Sequence, residues 1–143
     1  MATKFQVTFD AADPAALSDF WAAALGYEVP PPPEGFDSWD AWARDMGIAE
    51  ENWNDARALE DPDGPGPRLF FQKVPEAKTA KNRLHLDVNV STRGTPLEDK
   101  RAEVRSAVDR LIGLGATEIE VFDQRDEHWI VMHDPEGNEF CVQ

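Results

Sequence analysis

Apolar and polar residues alternate in two separate segments of the chain. In FQVTFD, residues 5 to 10, odd positions are apolar and even positions polar, and NRLHLDVNV, residues 82 to 90, alternates in the same way. A period of two predicts β-strands with one apolar and one polar face. The residues expected to pack beneath helices are Phe5, Val7, Phe9, Leu84 and Leu86. The polar face with His85, Asp87 and Asn89 is either wet sheet surface or the lining of a site.

Helical spacing follows the first strand. Asp13 is a suitable N-cap, Pro14 suits a first helical turn, and Gly26 suits a helix end. The apolar stripe between them consists of Leu17, Phe20, Trp21, Ala24 and Leu25. We therefore predict a helix ending at Gly26, followed by a short apolar strand at Tyr27-Glu28-Val29.

The second half of the chain repeats this order. Thr95-Pro96-Leu97-Glu98 has the form of a capping box, and an apolar stripe runs from there to Leu114-Gly115, before a strand at residues 118 to 122. Each half also closes with a turn and a strand, since DPDG at residues 61 to 64 precedes LFFQ, and DPEG at residues 134 to 137 precedes NEFCV. The order predicts two copies of a βαβββ unit.

A single domain over residues 1 to 143 is the expectation for a chain of this length. Its two modules are predicted at about residues 1–75 and 83–143, joined by a basic connector from Lys73 to Arg83. The first module carries an insertion at about residues 30–55 that the second lacks. Within it, Trp39, Trp42, Ala43 and Met46 form a helical stripe between Ser38 and Gly47.

Charge narrows the choice of partners. With 28 acidic and 14 basic residues the formal net charge is −14, which disfavours nucleic acid and anionic membrane surfaces. Residues 34 to 63 hold ten acids and two arginines, a net of −8. The first residues resemble no targeting signal and no segment is apolar enough to span a bilayer, so a cytoplasmic location is expected.

Nucleophilic and disulfide chemistry have little support. Cys141 is the only cysteine, which excludes an internal disulfide and an all-cysteine metal cage. The chain has no Ser/His/Asp order, no phosphate-cradling glycine loop and no Cys-x-x-Cys pair. A metal, if bound, would be held mostly by His, Gln, Asp or Glu.

The duplicated halves, with DAADPAALSDFWAAALGY, RLHLDV and DPEGNEFCV in this order, resemble the glyoxalase/bleomycin-resistance/dioxygenase superfamily, also called vicinal oxygen chelate proteins. The likeness covers nearly the whole chain and is closest to bacterial glyoxalase-like domain proteins. It implies an α+β fold in which two βαβββ modules form one half-open, eight-stranded barrel around a cleft. It also implies a homodimer with a small-molecule ligand.

The same resemblance implies a site on the first and last strand of each module, at Gln6, Gln72, His85 and Cys141. Gln72 and Cys141 stand where a carboxylate is expected, and neutral amides donate weakly to a divalent cation. Glu139, two residues before Cys141, is the alternative ligand if the register is shifted. No cofactor is therefore favoured, and a divalent metal (Zn, Ni, Mn or Fe) stays the alternative.

Two classes of function remain open. The favoured one is metal-independent binding or sequestration of a small molecule, with Gln6, Gln72, His85, Trp39 and Trp42 as ligand contacts. The competing one is a metal-dependent lyase, isomerase or dioxygenase, for which His85 is the candidate catalytic residue. The acidic, Trp-containing insertion favours a planar, cationic or neutral ligand. The alternative role of Trp39 and Trp42 is structural, as packing residues of a short helix.

Overall fold

A computed structural model describes all residues from 1 to 143, and its contacts divide the chain into two units, Met1–Ala77 and Lys78–Gln143. The boundary falls inside the predicted connector. The fold class is α+β, with three α-helices and two mixed sheets, and neither sheet closes on itself. None of the helices combines the length and the apolar character needed to cross a bilayer.

The first unit has one sheet of three strands and two α-helices. Its elements are β1 (Gln6–Ala11), α1 (Pro14–Leu25), α2 (Trp39–Asp45), a 3₁₀ helix (Glu50–Asn52), β2 (Ala56–Leu59) and β3 (Arg68–Lys73). The strand order is β1-β3-β2, with β1 parallel and β2 antiparallel to β3. The first strand of the unit therefore lies beside its last.

The predicted caps of α1 are confirmed. The Asp13 carboxylate accepts a hydrogen bond from the Ala16 amide at 3.2 Å, and Gly26 ends the helix with φ of 72°, a left-handed conformation suited to glycine. Leu17, Phe20 and Trp21 are buried, as the apolar stripe predicts. This stripe packs on one face of the sheet, so the opposite face is left for other contacts.

The strand predicted at Tyr27-Glu28-Val29 does not form. Only an isolated bridge joins Glu28 to Glu60, and the chain has seven strands, so the eight-stranded barrel is not seen. The four prolines from Pro30 to Pro33 follow directly. Because proline has no backbone N–H to donate, the ladder cannot continue through them.

The second unit repeats the strand pairing of the first. Its elements are β4 (Asp87–Val88), α3 (Leu97–Gly113), β5 (Thr117–Gln124), β6 (Glu127–His133) and β7 (Glu139–Val142). The order is β4-β7-β6-β5, and β4 lies parallel to β7 while the other pairs are antiparallel. Here too the first strand of the unit lies beside its last.

The strand expected over residues 82 to 90 is shorter than its alternation predicts. Only Asp87–Val88 is regular, although the Leu86 carbonyl accepts from the Cys141 amide at 3.0 Å and the Val90 amide donates to Gln143 at 2.7 Å. Phe5 and Leu84 are 71% and 70% exposed, so the prediction that they pack beneath helices is wrong. Both precede the paired segment of their strand and therefore lie outside the sheet.

The predicted capping box of α3 is also wrong. Pro96 is the N-cap and makes no side-chain cap. The Thr95 hydroxyl instead lies 3.1 Å from the Thr92 hydroxyl within the preceding turn. Threonine hydroxyls bond readily inside such turns, and this competes with capping.

Each sheet presents one face to its long helix and one open face. Leu69 and Phe71 of β3 are buried on the α1 side, whereas Phe70 lies on the open face of the first unit. In the second unit Phe140 and Val142 are buried on the α3 side, so Cys141 lies on the open face. The period-two alternation places all candidate strand residues on open faces.

Candidate functional site

Three potential metal ligands meet on the open face of the second unit. One ligand atom each from His85, Asp87 and Cys141 lies within 4.8 Å of the others. The register of the parallel pair β4 and β7 sets Asp87 opposite Cys141, and His85 precedes Asp87 by two residues on the same face. The cluster is therefore built by strand pairing rather than by a local motif.

The electrostatics of the cluster are those of a polar, partly exposed site. His85 Nε2 lies 3.3 Å from Asp87 Oδ1. Burial raises the pKa of the Cys141 thiol, and the neighbouring Asp87 carboxylate, which accepts its hydrogen bond, raises it further. The neutral thiol is thus favoured, and a metal ion would have to displace its proton.

The donor set fits a divalent metal. Imidazole nitrogen, thiolate sulfur and carboxylate oxygen are all zinc ligands, and three protein ligands leave a fourth position open. Zinc–ligand bonds of about 2.0–2.3 Å place tetrahedral ligands roughly 3.3–3.8 Å apart, a spacing comparable with that of the three ligand atoms, which all lie within 4.8 Å of one another. Asp87 is the carboxylate of this cluster. The alternation of residues 82 to 90 places it on the same face as His85, but it was not predicted as a metal ligand.

Glu139, the alternative ligand, is engaged elsewhere. Its carboxylate accepts from the Asn82 amide at 3.0 Å and forms an ion pair with Lys78 at 3.2 Å. The hydrogen bond from the Asn82 amide is the largest cause, and together with the Lys78 ammonium it lowers the pKa of Glu139 to about 2. The carboxylate therefore holds residues 78 to 82 against β7 and does not join the His85 cluster.

Gln6 and Gln72 share the open face of the first unit but are not neighbours. The parallel register pairs Gln6 with Arg68 and Asp10 with Gln72, four positions further along. That offset is about 13 Å along a strand. Gln6 accepts from Arg68 at 2.9 Å, and Gln72 donates to Asp10 at 2.8 Å. Within this unit they do not form a joint ligand set.

A polar cavity of about 520 Å³ adjoins the His85 cluster. Asn89, Ser91, Arg93 and Lys100 line it together with the cluster. Lys100 is already paired with Glu127 at 2.5 Å. His128, also in the lining, is buried and bonded to Asp123 at 2.8 Å.

An apolar cavity of about 420 Å³ lies in the first unit, between the insertion and the open face of the sheet. Its walls are α2 and the segment that follows, and its floor is β2 and β3. The aromatic and aliphatic residues in its lining are Val29, Pro30, Trp39, Trp42, Ala43, Ile48, Trp53, Ala56, Ala58 and Phe70. Neither Gln6 nor Gln72 is among the lining residues.

The tryptophans of this cavity are positioned by hydrogen bonds and by a helix cap. Trp39 Nε1 donates to the Pro30 carbonyl at 2.8 Å, and Trp53 Nε1 donates to the Ile48 carbonyl at 2.9 Å. Ser38 caps α2 by accepting from the Ala41 amide at 3.0 Å. The Trp39 and Trp42 rings meet edge to face, with centroids 5.5 Å apart and planes at 84°. Two perpendicular indoles therefore form a corner of the cavity.

The structure thus brings four of the predicted site residues together in two places and leaves Gln6, Gln72 and Glu139 outside both. Trp39 and Trp42 line the first-unit cavity, and His85 and Cys141 lie together in the second unit. Sequence reasoning missed Ala56 and Ala58, because no strand was predicted at β2. It missed Phe70 because the apolar run Leu69-Phe70-Phe71 does not reveal which face of β3 each residue occupies. Met46, the last residue of the predicted α2 stripe, is 59% exposed and does not pack.

Comparison with known families gives one match over most of the chain. Residues 6–143 match the family described as "Glyoxalase-like domain". This span includes both units and every candidate site residue. No curated protein sequence matches the chain.

Among the solved structures with a similar fold, three belong to proteins that are described differently. A glyoxalase/bleomycin resistance protein/dioxygenase family enzyme from Burkholderia phytofirmans is 20% identical, with 96% of this chain and 94% of that chain covered and a TM-score of 0.62. A possible glyoxalase from Bacillus cereus is 15% identical, with 100% and 99% covered and a TM-score of 0.62.

The third is a mutant of the fosfomycin resistance protein FosX from Listeria monocytogenes, complexed with Mn(II) and a dihydroxypropylphosphonic acid. It is 12% identical, with 100% of this chain and 90% of that chain covered and a TM-score of 0.63. At these identities the likeness establishes the fold alone.

Proposed function

Because this chain belongs to the glyoxalase-like domain family, we propose that it binds a small molecule, without a metal, in the apolar cavity of the first unit. The observation that carries the proposal is the cavity itself, about 420 Å³ in volume and lined by three tryptophans and Phe70. Small-molecule sites are typically concave, largely apolar and about 300–1,000 Å³. The cavity meets each of these criteria.

The geometry favours a planar ligand. Ala56 and Ala58 give the floor low relief beside the Phe70 ring, and the Trp39–Trp42 corner offers one indole face and one indole edge. Trp39 and Trp53 are already held by hydrogen bonds, so less side-chain entropy is lost on binding. The Trp42 indole N–H has no acceptor in the protein and is available to a ligand.

Truncating Trp42 should abolish most of this binding. We expect Trp42→Ala to weaken the affinity for a planar two-ring aromatic compound at least tenfold, because one wall of the cavity is lost. Isothermal titration calorimetry against a panel of such compounds measures the effect. Trp129→Ala is the matched control, since Trp129 stacks on Phe122 in the second unit, outside this cavity. Equal binding by wild type and Trp42→Ala would contradict the proposal.

A second candidate function is a metal-dependent lyase, isomerase or dioxygenase, and the His85, Asp87 and Cys141 cluster favours it. These three residues would hold the ion. A bound divalent metal would supply a Lewis acid that polarises a substrate oxygen. Without a metal, His85 Nε2 lies 3.3 Å from Asp87 Oδ1, and these two side chains would be the groups that contact a substrate at this place.

Metal analysis separates the two candidates. After dialysis against zinc, nickel, manganese or iron(II), the metal-free function predicts less than one equivalent retained per chain. One equivalent that is lost in Asp87→Ala but kept in Glu139→Gln would favour the second candidate, because the Glu139 carboxylate is bonded to Asn82 and Lys78. Metal lost in Glu139→Gln alone would favour the shifted register instead.

The half-open barrel around a cleft, the homodimer and the cytoplasmic location stay predictions. They are implied by the family resemblance and by the sequence pattern. Neither candidate function depends on them.

A further inference from the structure

We infer that the apolar cavity of the first unit selects a planar aromatic cation, with Asp40 and Asp55 as its counter-ions. This inference rests on the proposed function and adds a charge and two specificity-determining residues to it. Both aspartates line the cavity, and neither forms an ion pair within the protein. Asp40 lies in the first turn of α2, and Asp55 directly precedes β2.

The acidic side chains have different structural explanations. An acid in the first turn of a helix is an ordinary feature, because it complements the backbone N–H groups there. That explanation covers Asp40 but not Asp55, which belongs to no helix. Asp40 and Asp55 are both exposed, so water solvates their carboxylates in the free protein. Neither has an ion-pair partner, and both therefore leave negative charge at the cavity.

The two basic residues of the cavity lining, Arg57 and Arg68, already make contacts within the protein. Arg68 lies 3.6 Å from the Glu60 carboxylate, donates to Gln6 at 2.9 Å and covers the Phe70 ring at 5.4 Å. Arg57 also lines the cavity and is opposite Phe71 in the ladder. Its guanidinium donates to the Trp53 carbonyl at 3.4 Å.

One indole of the insertion already contacts a cation. The Arg44 guanidinium lies 4.8 Å from the centroid of the Trp53 ring. A cation over an indole face is stabilised by the ring quadrupole, and more so where water is excluded. The surrounding residues 34 to 63, with a net charge of −8, add a negative field that concentrates cations near the opening.

Three two-ring probes of similar size and different charge test the inference. They are N-methylquinolinium (cation), 2-naphthol (neutral) and 2-naphthoate (anion), titrated calorimetrically into the full-length chain at low and at moderate salt. We expect N-methylquinolinium to bind at least tenfold more tightly than 2-naphthoate, with the difference shrinking as salt rises. Similar or tighter binding of 2-naphthoate would overturn the inference.

Charge-removal variants locate the effect. Asp40→Asn and Asp55→Asn should each weaken N-methylquinolinium binding about three- to tenfold and leave 2-naphthol unchanged. Glu51→Gln is the matched control, because it removes the same charge from the same insertion but Glu51 does not line the cavity. Equal effects of all three variants would refute the role of Asp40 and Asp55.

Failure of the inference is distinguishable from failure of the proposed function. If the three probes bind equally well and Trp42→Ala weakens all of them, the cavity binds planar ligands without regard to charge, so the inference fails alone. If no probe binds the wild-type chain, or Trp42→Ala has no effect on any of them, the proposed function fails as well.

Discussion

Replacing Trp21 by alanine is expected to lower the free energy of unfolding by about 3 to 5 kcal/mol, which is the usual range for removing a large aromatic side chain from a core. Trp21 is 1% exposed. Its ring lies 5.4 Å from that of Phe9 and 5.3 Å from that of Phe20. Its removal leaves a void between α1 and the sheet that these rings cannot fill without breaking their own contacts.

Urea unfolding followed by circular dichroism measures this loss. Trp21→Phe should cost clearly less, because most of the buried ring volume is kept. Ser106→Ala, at an exposed position of α3, should change the free energy by no more than about 0.5 kcal/mol. A loss below about 1 kcal/mol in Trp21→Ala would contradict the packing described for α1.

Asp134→Ala should have the second largest effect, a loss of about 2 to 4 kcal/mol, because three partly buried N–H groups would lose the acceptor that a buried carboxylate provides. Asp134 is 3% exposed. Its Oδ1 accepts from the Glu136 amide at 2.9 Å and the Asn138 amide at 3.0 Å, and Oδ2 accepts from Asn138 Nδ2 at 2.9 Å. The turn that it organises leads into β7, which carries Cys141.

The equivalent turn of the first unit provides the comparison. Asp61 accepts from the Asp63 amide at 2.9 Å and the Gly66 amide at 2.8 Å, but it is less buried. Water can replace a lost acceptor at this site, so Asp61→Ala should cost about 1 kcal/mol. Equal losses of unfolding free energy in the two variants, measured by the same urea titration, would show that burial of the aspartate does not increase the cost of losing it.

Local features of the sequence predicted the helices of the first unit. Asp13 and Ser38 each bond to an amide three residues further along, at Ala16 and Ala41. Such bonds require no distant part of the chain, so composition and spacing suffice to predict them. Both DPxG turns, at Asp61 and Asp134, are local in the same sense.

Predictions that depended on competing local contacts were less successful. Thr95 bonds to Thr92 instead of capping α3. The eighth strand is reduced to a bridge at Glu28, because the pairing stops at the prolines that follow. In both cases the sequence pattern permitted two structures, and the pattern alone could not rank them.

The residues of the two candidate sites could be predicted from the sequence to different degrees. Trp39 and Trp42 could be predicted as candidate site residues because aromatic residues in an acidic insertion are conspicuous, whereas Phe70 joins them in the cavity lining only through the sheet. Asp87 lies 54 positions before Cys141, and their proximity results from the parallel register of β4 and β7. The alternation of NRLHLDVNV determined which side chains share a face. Strand register decided which of them meet, because pairing depends on long-range contacts that the local pattern does not encode.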